Sequence, residues 1–322
     1  MGSSLLYEKD GEILGCSHDV PNKLRIGGDE LLSDLGSDLA VHIDYRGQGI
    51  STKMREFNWD AKKRFGFEFA YFVTSNPRLI ENYERTREPF PYTVYNYVMI
   101  FDVDLQLERM PVKDPQVKKY GYMSLDALNR LRHTFTEKVE PELGDIVPIS
   151  VFDESYQRFW EKVRDNYDFI VDRGRPYMNW RFCDSRGGSF KVFKAGDENG
   201  FRGYIVLFVN KMIEGYPIGY IVDLMTDDDS TAQSLVSFAV DYFRRGGVNI
   251  INCLAISGSG CGRALQLNGF VNSMIGLKIF FGRNELRSND EVLLSLLRNA
   301  KKDRVYFSYG DIDSLPSALP RY

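Results

Sequence analysis

Cysteine, histidine and tryptophan are scarce in this 322-residue chain, with four, three and three copies. Cys16, Cys183, Cys253 and Cys261 are scattered, no Cys-x-x-Cys pair occurs, and His18, His42 and His133 stand alone. That pattern argues against a zinc site or a disulfide framework and fits a reducing compartment. No apolar run approaches the ~20 residues of a membrane span, and the N-terminus lacks the charged-then-apolar pattern of a secretory signal. Charge of one sign is not in excess: the net charge is -4, which argues against non-specific nucleic-acid binding. The expectation is a cytoplasmic globular protein with no metal, no membrane and no nucleic-acid partner. Its length allows two domains or one large one.

One stretch, residues 38–64, carries the chemistry. Leu39, Val41 and Ile43 alternate with other residues, the period of a strand with one buried face. Arg46-Gly47-Gln48-Gly49 is short, basic and glycine-bearing. Met54, Phe57, Trp59 and Ala61 then recur among Lys53, Arg55, Lys62, Lys63 and Arg64, an amphipathic helix pattern. Strand, glycine turn and helix make a phosphate cradle, because glycines admit close approach and the first-turn N–H groups of the helix point at the anion. No Gly-Lys-Ser/Thr ends the turn and no Gly-x-Gly-x-x-Gly occurs in it, which excludes a Walker loop and a dinucleotide fingerprint.

The spacing Arg46-x-x-Gly49-x-Ser51 after a Leu-x-Val-x-Ile strand resembles the coenzyme A signature of the GNAT N-acetyltransferase superfamily. Ser51 departs from the usual Gly or Ala, a small-for-small change. The resemblance implies an α+β fold of three layers with a mixed, largely antiparallel central sheet. It implies acetyl-CoA, or another acyl-CoA, as cosubstrate and an amine as acceptor. Val41, Ile43, Arg46, Gly47, Gln48, Gly49, Ile50, Ser51 and Asn76 are the coenzyme A-binding residues it implies. The N–H of Val41 would polarise the acyl carbonyl. Tyr83, on the helix after the next strand, matches the family's proton donor to the departing thiolate. It also lies at i+4 from Leu79, so a core position is the competing reading. Asp38 is the candidate base, with the carboxylate of Tyr322 as a remote alternative.

Around that stretch, residues 5–16 predict a hairpin turning at Asp10-Gly11, residues 17–37 an irregular connection, and 67–74 a central strand parallel to the one before. Asn76-Pro77 opens a helix, and 92–103 is strand-like. The family's usual first strand and helices do not precede the hairpin. The second half repeats the pattern: strand 219–225, helix from Ser230, Arg245-Gly246-Gly247 and strand 250–256 follow the first copy at offsets of 179 and 180, from 230 − 51 and 246 − 66. The chain is expected to hold two GNAT-like domains in tandem: residues 1–104, a connection over 105–144 (extended at 110–115, helical at 125–134, broken at 140–144) and a degenerate copy over 145–322. Asp227-Asp228-Asp229 replaces the basic turn there and would repel a pyrophosphate while capping a helix. The glycine cluster 258–263 follows a strand and opens a helix; a flexible turn is expected there, with a phosphate site of its own as the alternative. Tyr177, Asn179, Trp180 and Arg181 are candidates for a wall of the acceptor cleft.

Three functions remain open: an acyl-CoA-dependent N-acyltransferase, a non-catalytic coenzyme A sensor, and a ligand-free tandem module. The acceptor's identity, the acyl chain and the oligomeric state stay open as well.

Overall fold

The computed structural model describes residues 3–109, 146–197, 200–282 and 290–312. Every absence stated below is an absence among the described residues. The expected elements over 110–144 and the Tyr322 carboxylate lie outside them.

The chain opens with β1 (Ser3–Lys9) and β2 (Glu12–Ile26). Asp10 and Gly11 join them at φ of 55° and 83°, the left-handed pair that a tight hairpin turn requires. β2 does not stop at Cys16. It turns at Gly27-Gly28 and returns as β3 (Asp29–Val41). The irregular connection expected over 17–37 is instead a long hairpin. Its polar residues concealed it: Asp19, Asn22, Ser33 and Asp34 are all buried. Pro21 is tolerated because β1 pairing ends at Asp19 and the pairing of β8 (Phe169–Val171) begins at Leu24, so no outer neighbour requires its missing N–H.

A 3-10 turn over Ile43–Tyr45 ends the expected 39–43 strand early. Then come α1 (Ile50–Arg64), β4 (Phe69–Thr74), α2 (Pro77–Thr86), β5 (Arg87–Pro89), β6 (Val94–Ile100) and α3 (Val103–Arg109). The second copy follows as β7 (Val147–Ile149), α4 (Glu154–Val163), β8, a short α5 (Arg175–Met178), β9 (Lys191–Asp197), β10 (Gly200–Asn210), β11 (Ile218–Thr226), α6 (Asp229–Arg245), β12 (Ile250–Ile256), α7 (Gly260–Leu267), β13 (Val271–Gly282) and α8 (Asp290–Asn299). α4 buries Tyr156, Phe159, Trp160 and Val163, the side its periodicity predicts.

All thirteen strands join one mixed sheet in the order β1-β2-β3-β4-β13-β6-β12-β11-β10-β9-β7, with β5 on β13 and β8 on β2. The two copies interlock at its centre. β6, from the first copy, pairs only with β12 and β13 of the second. β13 pairs only with β4, β5 and β6 of the first. Ile279, Phe280 and Phe281 of β13 are buried by this exchange, and each fully buried side chain of that size contributes roughly 1.5–3 kcal/mol. The face of the first copy carrying Leu24, Leu35 and Tyr71 takes much of its cover from the second. That face is covered by β8 and by Leu293, Leu294 and Leu297 of α8. α1 and α2 are thereby left on the opposite face, where the candidate site forms.

Candidate active site

β3 and β4 run parallel but pair only from Ser33 with Phe69 to Gly36 with Phe72. Past that point β3 continues to Val41, whereas Val73 and Thr74 of β4 pair with β13. The two strands form a wedge with its apex at Gly36 and Phe72. Just beyond the apex β3 bulges: Ser17 alone faces Asp38 and Leu39, between the His18–Ser37 and Cys16–Ala40 pairs. Asp38 takes φ 51°, uncommon for a residue with a side chain. Such backbone strain clusters at functional sites. The wedge opens into a cleft of about 790 Å³ between α1 and α2, the size of a small-molecule site. Asp38, Ser51 and Tyr83 line it.

Eight residues, 42–49, connect β3 to α1. Gly47 and Gly49 lie at φ 79° and 76° with open space where a Cβ would be, so glycine is required for conformation rather than room. The Gly49 carbonyl accepts the Lys53 N–H at 3.0 Å, which leaves the first N–H groups of α1 without helical partners. Arg46 Nε donates to the Val41 carbonyl (3.2 Å) and Gln48 Nε2 to that of Asp44 (3.4 Å), folding both side chains onto the loop. The His42 N–H donates to Leu14 (2.8 Å). Strand alternation therefore turns the Val41 N–H to the opposite edge of β3, the edge β4 has left. Ile50 is buried with Leu14 and Met54, and Ile43 is exposed. Asn76 caps α2, its Oδ1 accepting the Arg78 N–H at 3.0 Å. Of the expected coenzyme A-binding residues only Ser51 lines the cleft; Val41, Ile43, Arg46, Gly47, Gln48, Gly49, Ile50 and Asn76 do not.

The inward stripe of α1 is Ile50, Met54, Asn58 and Lys62, not the expected Met54, Phe57, Trp59 and Ala61; Phe57 is 65% exposed. Lys62, which the amphipathic pattern sets among the polar residues of the helix, is buried between Asp19 (2.7 Å) and Asp34 (2.5 Å), and Asn58 donates to Asp19 at 2.6 Å. Burial pushes the Asp34 carboxyl up to about 7 against the pull of Lys62. Tyr83 is buried in α2, its ring against Phe72 and Phe280. It thus has both the core contacts of the competing reading and a place on the cleft. Arg87 also lines the cleft and was missed in sequence, because it reads as an ordinary helix-end cation. Spacing by fours from Ile50 would have found Lys62.

The second copy has the same wedge, with β11 and β12 pairing only up to Ile221 with Cys253 and a bulge at Val222. The chain itself fills it. The Tyr306 hydroxyl accepts the Leu224 N–H (3.0 Å) and lies 2.8 Å from Asp223 Oδ1; Ser308 Oγ is 2.7 Å from the same carboxylate oxygen. Asp223, the counterpart of Asp38, is buried and held below the usual carboxylate range by Arg173 despite its desolvation. Only about 20 Å³ remains. Two residues replace the eight-residue connection. Asp227 pairs with Lys162 (3.0 Å), Asp228 caps α6, and Asp229 pairs with Arg263 (3.1 Å). Arg263 also donates to the Gly258 carbonyl and Ser259 caps α7, so the expected turn is confined to Gly258 and Ser259, and 260–263 form the first turn of the helix. Tyr177, Asn179, Trp180 and Arg181 do not reach the cleft. Asn179 holds the Phe152 backbone and Arg181 the Ile312 carbonyl, because α5 packs on the other face.

A parallel strand pair splayed past a bulge, with a glycine-bearing connection into a helix at its mouth, defines a GNAT-type fold, built twice here in one sheet. Solved structures resemble it at low identity. Saccharomyces cerevisiae N-myristoyltransferase with bound myristoyl-CoA and inhibitors aligns with a TM-score of 0.57 at 11% identity, over 87% of this chain and 70% of that one. A GCN5-related N-acetyltransferase from Anabaena variabilis gives 0.55 at 11%, over 85% of this chain and 61% of that one. An Enterococcus faecalis protein described as a probable N-acyltransferase gives 0.54 at 13%, over 86% and 61%. The chain therefore spans less than two thirds of the latter two proteins. No protein-family profile and no curated protein sequence matches the chain.

Proposed function

We propose that the chain is an acyl-CoA-dependent N-acyltransferase, moving an acetyl group in the simplest case to an amine acceptor, in the cytoplasm. Residues 1–104 carry the site and 145–322 act as its degenerate support. The observation that carries this is the contrast between the two wedges: one open with a glycine loop at its mouth, one filled by Tyr306. The first wedge fits coenzyme A: Gly47 and Gly49 leave their backbone open, and the cleft has room for a slender arm. When bound, the acyl-CoA supplies an activated acyl carbon. The N–H groups from Gly47 to Ser51 hold the pyrophosphate, with Arg46 and Gln48 beside them and Ile43 and Asn76 at the flanks. The Val41 N–H, on the free edge of β3, withdraws charge from the acyl oxygen. Tyr83 donates its phenolic proton to the leaving thiolate, and Asp38 takes a proton from the acceptor amine. The reading is tested with Gly49→Val, expected to lose acetyl-CoA binding in calorimetry, and with Tyr83→Phe, expected to bind acetyl-CoA but turn over slowly. Unchanged affinity in the first, or tight binding without turnover across a broad amine panel, contradicts it.

A further inference from the structure

The inner end of the cleft holds a cation without a counter-ion. Arg87 is 7% exposed. Its guanidinium lies over Phe72, 3.6 Å from the ring centroid, and 4.8 Å from that of Tyr83. Its Nε has no hydrogen-bond partner, and it forms no ion pair among the described residues. Burial lowers its pKa to about 10, which leaves it charged at neutral pH. The buried carboxylates Asp19 and Asp34 are already tied to Lys62, and that of Glu88 to Arg298. An unpaired buried charge is costly unless something neutralises it. A second buried donor without a partner, Trp59 Nε1, belongs to another residue lining the same cleft. The six-membered edge of the Trp59 ring is 3.3 Å from where a Cβ on Gly282 would be, and Gly282 is the strand partner of Arg87. Arg87, Trp59 and Gly282 all line the cleft. Asp19, Asp38, Glu56 and Asp60 also line the cleft, but none forms an ion pair with Arg87, so two buried donors in one cleft lack an acceptor and make a candidate anion site.

Its position says which anion. Phe72, under the guanidinium, is the apex of the wedge. The glycine loop lies past Val41, five residues on from Gly36, or about 16 Å of strand. Phosphates held by the loop are thus remote from Arg87, and Tyr83 is adjacent to it. We propose that Arg87, with Trp59, is a subsite for a carboxylate carried at the reacting end of the cleft, on either the amine acceptor or the acyl group. The assignment rests on the acyltransferase reading for what reacts there, but not for the anion itself. A planar guanidinium matches a carboxylate with two parallel hydrogen bonds.

The test has an arm that needs no coenzyme A. Calorimetry of the full chain with succinate should show binding that Arg87→Gln weakens on the order of 10- to 100-fold, with Arg87→Lys partly restoring it and ethylamine giving no heat. Turnover then separates the two sources. A carboxylate on the acceptor gives glycine a higher kcat/KM than methylamine with acetyl-CoA. A carboxylate on the acyl group makes succinyl-CoA better than acetyl-CoA with methylamine. Either preference, lost in Arg87→Gln while coenzyme A affinity holds, supports the subsite. The wild type alone overturns it if succinate gives no heat and neither preference appears, even where Arg87→Gln fails to fold. It is also overturned if Arg87→Gln weakens coenzyme A and acetyl-CoA equally and spares succinate, which would make Arg87 a phosphate contact. Absence of coenzyme A binding with succinate binding intact sinks the acyltransferase reading and leaves the anion site standing.

Discussion

The Asp19–Lys62–Asp34 cluster predicts an inverted pH dependence of stability. Asp34 titrates at about 7 in the folded chain against 3.8 ordinarily. Between these values the folded state holds a proton that the unfolded state has released, so stability falls as pH rises. The contribution is fully present below pH ~4 and gone above ~7. Roughly three units at 1.36 kcal/mol each gives about 4 kcal/mol across that window. Asp34→Asn removes the titration and keeps an oxygen near Lys62 Nζ, so subtracting the variant's curve from the wild type's cancels the other groups. Urea unfolding followed by tryptophan fluorescence from pH 4 to 8 measures both curves. Wild-type stability should decline relative to Asp34→Asn by several kcal/mol, most steeply between pH 5 and 7. A flat difference, or one rising with pH, would refute the buried-carboxyl account.

Other outcomes follow from the wedge and its neighbours. Lys62→Met strands two carboxylates and should cost about 3–5 kcal/mol at pH 8, and less at pH 5 where Asp34 is protonated, as chemical denaturation would record. Gly36→Ala places a Cβ 2.4 Å from the Phe72 ring; overpacking of about 1–3 kcal/mol should accompany weaker acetyl-CoA binding, read by melting temperature with and without ligand. Tyr83→Phe should lower kcat roughly 10²- to 10⁴-fold with little change in KM in steady-state assays. Tyr306→Phe removes the hydroxyl that satisfies the Leu224 N–H and should cost about 1–3 kcal/mol by thermal melts, with acetyl-CoA affinity unchanged.

Much of this architecture was legible because local signals agreed with the fold. Asp10-Gly11 marked its turn, Asn76-Pro77 its helix start, and the matched spacing of the halves revealed the duplication. The misses have a common cause. Asp19, Asp34 and Lys62 satisfy one another far apart in sequence, so strands carrying buried charge looked like a polar loop and a helix face looked solvated. The strand exchange of β6 and β13 depends on tertiary pairing that no single segment encodes. Arg87 gained its meaning only when β5 carried it into the cleft that Tyr83 and Trp59 also line. The glycine loop was visible from spacing, whereas the filling of the second wedge by Tyr306 links positions eighty-two residues apart, from 306 − 224.

Calorimetric titration of the full chain with acetyl-CoA tests the central claim most directly. One equivalent should bind per chain and raise the melting temperature, as a ligand of the native state must, and Gly49→Val should abolish both effects. No heat and no thermal shift in the wild type, or two equivalents per chain, would contradict the assignment of a single working wedge between β3 and β4.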